Sequence, residues 1–142
     1  MKSKYNVNEQ DIQPARVKSE DGWREMNIKW LLCEKTVGCR SAVLFKAAFK
    51  AGSVHEKHIH HKADEVVYVI SGVGRHGQGD EEWEIGSGDS YFIPRGMTHW
   101  GYGTDPKDPL VLIGTWVGGG SLEDTGSEFV GKVERKSSRT SP

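Results

Sequence analysis

Two histidines and a glutamate lie close together in the run HIHHKADE, at His58, His60 and Glu65. Alternate residues of a strand project from the same face, so His58 and His60 present both imidazoles to one space. The polar bend His61-Lys62-Ala63-Asp64 can bring the chain back so that Glu65 faces that space as well. Neutral imidazoles and a carboxylate suit a borderline divalent transition-metal ion such as Fe, Mn, Ni, Cu or Zn. Three donors leave such an ion short of a ligand, and His99 stands further along the chain as a candidate fourth.

Donors of this kind need rigid strands to hold them, and the sequence supplies many. Eighteen glycines and five tryptophans accompany short apolar segments punctuated at close intervals, the composition of an all-β fold. Residues 23–32 (WREMNIKWLL) read as one strand, with Trp23 opposite in parity to Met26, Ile28 and Trp30. Residues 41–49, 65–71, 81–85, 90–94 and 110–117 follow as further strands. The strongest is EVVYVIS: Glu65, Val67 and Val69 share one face, while Val66, Tyr68 and Ile70 share the other. Both faces are therefore expected to be covered, one of them by a partner subunit. Glycines on either side of Arg75-His76 read as turn chemistry. Residues 121–131 are expected to close one end of the fold, with Ser121 capping a helical turn.

A chain of 142 residues is long enough for a single core. The expected organisation is an N-terminal arm over 1–22, a barrel over 23–131 and a disordered tail over 132–142, where apolar residues nearly vanish. Nineteen basic residues against twenty acidic ones leave a net charge of -1, without the basic footprint that nucleic-acid binding requires. No apolar run approaches a membrane span, and the start MKSKYNVNEQ lacks the apolar core of a secretory signal, so a cytoplasmic location is expected. Cys33 and Cys39 match no common zinc spacing and are expected to be free thiols.

The pattern around the donors resembles that of the cupin superfamily. Its first motif, G-x5-H-x-H-x4-E-x6-G, is matched by Gly52, His58, His60, Glu65 and Gly72. Its second, G-x5-P-x-G-x2-H-x3-N, is matched by Gly88, Pro94, Gly96 and His99, with Gly103 in place of the final asparagine. The resemblance implies a double-stranded β-helix, or jelly roll. It also implies His58, His60, Glu65 and His99 as ligands of one divalent transition-metal ion that keeps open positions for substrate, water or dioxygen.

Around that set, Met97 and the aromatic residue Phe45 are candidates for the substrate pocket. Gly101 and Gly103 share parity with His99 and are expected either to widen the pocket or to mark a bulge. His55, out of parity with His58, is read as a surface histidine unless a bend near Val54 brings it to the mouth of the site. His61 and His76 are likewise read as surface residues.

Fold alone does not select a reaction. The resemblance favours a metal-dependent, dioxygenase-type enzyme acting on a small oxygenated substrate that is aromatic or enolisable. The alternatives are a redox-neutral cyclase, isomerase or lyase using Zn or Ni, and a metal-dependent sensor of a small ligand. Glu65 is the candidate catalytic residue if it leaves the metal to take a proton, with Tyr68, Tyr91 and His55 open as other acid or base groups. A symmetric homodimer is the simplest assembly that covers a second apolar sheet face.

Overall fold

The computed structural model of the chain describes residues 2–136. Among the described residues eleven strands form the fold: β1 (Trp23–Arg24), β2 (Asn27–Leu32), β3 (Ala42–Phe49), β4 (Val54–His60), β5 (Asp64–Ser71), β6 (Val73–Gln78), β7 (Glu81–Gly86), β8 (Ser90–Ile93), β9 (His99–Gly103), β10 (Leu110–Val117) and β11 (Ser127–Gly131). One sheet has the order β1-β4-β9-β6-β7, with β11 also on β4, and the other has the order β2-β3-β10-β5-β8. All of these pairings are antiparallel. The chain passes repeatedly from one sheet to the other, which makes the fold a double-stranded β-helix.

Residues 23–32 do not form one strand. Glu25 takes a positive φ of 52°, and the chain there leaves β1 in the first sheet to begin β2 in the second. A residue in that conformation breaks the alternation, so Trp23 faces the interior together with Met26 and Ile28 instead of opposing them. The glycines around His76 also differ from expectation. Gly74 and Gly77 lie within β6, and a Cβ at Gly77 would stand 2.0 Å from the Trp100 ring. Glycine serves here to admit a neighbouring ring, and the turn is left to Gly79 and Asp80.

The core lies between the sheets, where Ile28, Val43, Phe45, Val67, Val69, Leu110 and Trp116 are almost wholly shielded from solvent. In β5 the expected alternation is present: Glu65, Val67 and Val69 are buried, while Val66, Tyr68 and Ile70 are 44%, 52% and 42% exposed on the outer face. Phe92 of β8, paired with Val66, extends that exposed apolar face.

Cys33 and Cys39 are both free, on either side of a short helix, α1 (Glu34–Val37). Of the segment expected as a tail, residues 132–136 run along the first sheet. There Val133 N–H donates to Glu56 Oε1 at 2.8 Å and Lys136 N–H to the Tyr102 hydroxyl at 2.8 Å. The remainder of that segment, 137–142, lies outside the described residues. Among the described residues no helix is long and apolar enough to cross a membrane.

Candidate metal centre

Three histidine side chains converge inside the barrel, His58 and His60 from β4 and His99 from β9, all buried and with one ring nitrogen of each within 4.8 Å of the others. The local register places them. β4 and β9 pair Val54 with Tyr102, His55 with Gly101 and His58 with His99, so β4 spends one residue more than β9 between the last two pairs. That extra residue is a bulge, and it resets which side chains point inward. On the N-terminal side Val54 packs outward with Trp100 and Tyr102, and Glu56 pairs with Arg24 at 3.0 Å. His55 therefore faces inward along with His58 and His60. Its ring stacks between Trp23 at 3.7 Å and His58 at 3.5 Å, which corrects the surface assignment made from unbroken parity.

Hydrogen bonds fix the tautomer of each converging ring. His58 Nδ1 lies 2.6 Å from Glu56 O, and His99 Nδ1 lies 3.0 Å from Met97 O. A carbonyl oxygen only accepts, so both Nδ1 atoms carry the proton. His60 Nδ1 meets Thr125 Oγ1 at 2.9 Å, and that hydroxyl donates its own proton to Leu122 O. Thr125 therefore accepts from His60, which is an Nδ1–H tautomer like the other two. In the neutral form of each ring Nε2 is then unprotonated, and all three Nε2 atoms are buried without a hydrogen-bond partner. Burial first of all holds His58 well below the ordinary histidine value, and it brings His60 down to about 4, against the opposing charge of Glu65. Both rings are thus neutral, the form in which imidazole binds a metal.

Glu65, on β5 of the facing sheet, completes the group. Its Oε1 lies 3.4 Å from His60 Nε2 and 3.6 Å from His99 Nε2. It accepts the Trp116 indole N–H at 2.5 Å. Burial favours the neutral acid, and the Trp116 N–H opposes it by favouring the carboxylate. Three lone pairs and an anion directed at one buried point, with no proton among them, would repel one another unless a cation lay between them. The residues present fit a divalent transition-metal ion, which His58, His60, His99 and Glu65 would hold, with the Nδ1 partners fixing the ring orientations.

The donors open into a cavity of about 40 Å³, room for roughly three water molecules. Phe45 and Gly101 line it, as do Trp23, Ile28, Leu112 and Trp116. Met97 and Gly103, expected in the pocket, lie outside its lining. Met97 holds His99 through its carbonyl and turns its sulfur to Gln78 Nε2 at 3.4 Å. Gly103 meets backbone: a Cβ there would come within 2.6 Å of Phe49 O and Lys50 O, so glycine at this position permits a close strand crossing and does not widen the site. Gly101 has only Arg75 O near its Cβ direction, at 3.5 Å.

His76 is also inside, 3% exposed, in place of the surface position expected of it. It stacks on Tyr91 at 4.0 Å and lies 6.4 Å from His99 between ring centroids. His61 is half exposed and approaches Glu128 at 3.5 Å, outside the cavity. Thr125, His76 and His55 are the site residues that sequence reasoning missed or misplaced, while Tyr91, open there as an acid or base group, lines the cavity. Thr125 carries no spacing signal, because it reaches His60 only through the turn at Glu123–Thr125. That turn sits where a capped helical turn was expected, with Asp124 N–H donating to Ser121 Oγ at 3.1 Å.

Residues 45–118, more than half of the sequence, match the family model of the cupin domain. The chain belongs to the cupin family. No curated protein matches it. Among solved structures, it is similar to a predicted oxalate decarboxylase from Thermotoga maritima, at 20% identity and TM-score 0.70 over 80% of this chain and 98% of the other. It is similar also to a cupin-like protein of the same organism, at 20% identity and TM-score 0.69 over 86% and 88% of the two chains. A third is the polyketide cyclase RemF from Streptomyces resistomycificus, at 23% identity and TM-score 0.67 over 84% and 88%. At these identities the likeness is one of fold, and the site itself must indicate the chemistry of this cupin.

Proposed function

We propose that this cupin is a metal-dependent enzyme acting on a small, enolisable, oxygenated substrate, with dioxygenase-type chemistry. The observation that carries the reading is the make-up of the site: three converging histidines with Glu65 beside them, a cavity walled by aromatic and aliphatic side chains, and, among the described residues, no lysine or arginine in that lining. A substrate with several negative charges, such as a dicarboxylate or a sugar phosphate, would be buried there without a protein cation to pair it. A neutral molecule, or one that becomes singly anionic as its enolate, makes no such demand. The small volume selects in the same direction, since it admits the reactive end of a compact carbonyl compound more readily than a fused aromatic system.

A bound divalent ion would supply Lewis acidity toward a substrate oxygen and, if redox-active, a place for dioxygen. The chain's own contribution is orientation and exclusion of water. Trp116 holds the Glu65 carboxylate toward His60 and His99. Trp23, Ile28, Phe45 and Leu112 supply an apolar surround that strengthens electrostatic contacts with the bound oxygen. The test is to purify the protein without chelators, determine its metals by elemental analysis, and follow oxygen uptake with small diketones and hydroxyketones. Iron or manganese with substrate-dependent oxygen uptake supports the proposal. Zinc or nickel with product formation under nitrogen replaces it by a redox-neutral isomerase, cyclase or lyase, and tight ligand binding without turnover replaces it by a sensor.

We propose in addition that two copies pair through the outer face of the second sheet. Val66, Tyr68, Ile70 and Phe92 form an exposed apolar group there, of the kind that marks an interface. A symmetric dimer would cover it with the same residues of the second copy.

A further inference from the structure

His76 sits on the cavity wall, and the proposed metal chemistry does not use it. Its Nε2 lies 2.9 Å from Gln78 Oε1. The orientation of that amide is decided elsewhere: Gln78 Nε2 donates to Phe92 O at 3.1 Å and approaches Met97 Sδ at 3.4 Å, both of which only accept. The amide nitrogen must face Phe92 and Met97, so the amide oxygen must face His76. An amide oxygen has no proton to give, and His76 Nε2 therefore carries one. In a neutral ring Nδ1 is then a bare acceptor.

The ring is also held in place. It stacks on Tyr91 at 4.0 Å with planes 28° apart and packs edge-on to Trp83 at 5.1 Å. Burial keeps it neutral, at about 4, against the opposing effect of the Gln78 hydrogen bond. A rotation that carried the acceptor elsewhere would break both the stack and the hydrogen bond to Gln78. The ring centroid lies 6.4 Å from that of His99, so a small molecule with one oxygen at the metal donors can reach His76 with its other end.

We propose that His76 is a substrate-binding residue whose fixed Nδ1 accepts a hydrogen bond from a hydroxyl of the substrate, selecting hydroxyketones or enols over ketones that lack a donor. This role rests on the enzyme reading above and adds the feature that reading leaves open, the group recognised beside the metal-bound oxygen. A site built to bond a hydroxyl discriminates strongly against the analogue that lacks it, because the bound analogue shuts the acceptor off from water and leaves it unpaired.

The experiment compares hydroxyacetone with butanone, which has a methyl group in place of the hydroxyl. Binding to the cobalt-loaded protein is read from the visible d–d bands, in wild type and in His76→Phe, a variant that retains a flat ring for the stack. Cobalt content is measured in both. The expected result is equal cobalt content, a preference for hydroxyacetone of about tenfold in wild type, and loss of most of that preference in the variant. An undiminished preference in His76→Phe would overturn the role of His76 and leave the enzyme reading standing. Failure of wild type to bind either ketone would overturn both. A second measurement does not depend on the variant folding: long-range proton–nitrogen NMR of the metal-free wild type should show His76 protonated at Nε2 and bare at Nδ1. The opposite tautomer would overturn the proposal by itself.

Discussion

Replacing Thr125 by valine preserves the shape of a fully buried side chain and removes one oxygen. That oxygen accepts from His60 Nδ1–H at 2.9 Å and donates to Leu122 O. Two buried groups lose a partner, and an unsatisfied buried group costs about 1–3 kcal/mol. Leu122 O has a remedy already in place, since the Thr125 backbone N–H still donates to it at 3.1 Å. His60 has one too: it can shift its proton to Nε2, where Glu65 Oε1 stands 3.4 Å away. That remedy places a hydrogen on the atom that would hold the metal, so the cost passes from folding to metal binding. Changing the group that orients a metal-binding histidine typically lowers metal affinity by about 10–100-fold. Thr125→Val is therefore expected to lose only about 1 kcal/mol of stability in urea unfolding of the metal-free protein, and to bind zinc about 10–100-fold more weakly in competition with a chromophoric chelator. Thr125→Ser, which keeps the oxygen, should remain near wild type in both. Wild-type zinc affinity in Thr125→Val would refute the tautomer assignment of His60, and equal affinities in the valine and serine variants would refute the part given to the hydroxyl.

The two glycines beside His99 should respond differently to alanine. Gly103→Ala forces a Cβ to within 2.6 Å of two backbone carbonyl oxygens and is expected to cost roughly 1–3 kcal/mol or more in thermal or urea unfolding. Gly101→Ala meets nothing nearer than 3.5 Å, so it should fold as wild type while weakening hydroxyacetone binding by narrowing the cavity. For pH, His76 is held at about 4 by burial, against a value of 6.5 in the unfolded chain. The unfolded state takes the proton first, so this contribution to stability is complete above pH 6.5 and is lost as pH falls toward 4, up to about 3 kcal/mol at 1.36 kcal/mol per pH unit. Urea unfolding of the metal-free protein should accordingly weaken less between pH 7 and pH 4.5 in His76→Phe than in wild type; parallel pH profiles would contradict it. Tyr68→Glu places a charge among Val66, Ile70 and Phe92 and is expected to give a monomer by size exclusion with light scattering, where wild type gives a dimer.

What was legible in the sequence was the group of side chains that the fold brings together, and its frame. His58 and His60 sit two apart on one strand, Glu65 follows a bend, and His99 completes the second motif. Each relation is a matter of short spacing and strand alternation, and each histidine is buried where the alternation requires. The all-β class and the inward face of β5 were legible for the same reason, because period-two patterning survives wherever strands run unbroken. Alternation failed where the backbone departed from it. The positive φ at Glu25 turned Trp23 inward, and the bulge in β4 turned His55 inward, and neither event leaves a mark in the order of residue types.

His58 and His99 take their Nδ1 partners from carbonyls two residues away, but the other partners belonged to the tertiary structure alone. Thr125 reaches His60 across 65 positions, Trp116 reaches Glu65 across 51, and Gln78 fixes His76 only because β8 and the chain before β9 bring Phe92 O and Met97 Sδ to its amide. Which nitrogen of His60 or His76 carries its proton depends on atoms that the fold collects from distant parts of the chain. The sequence therefore names the residues able to hold a metal, and only the packed structure decides which of their atoms are free to do so.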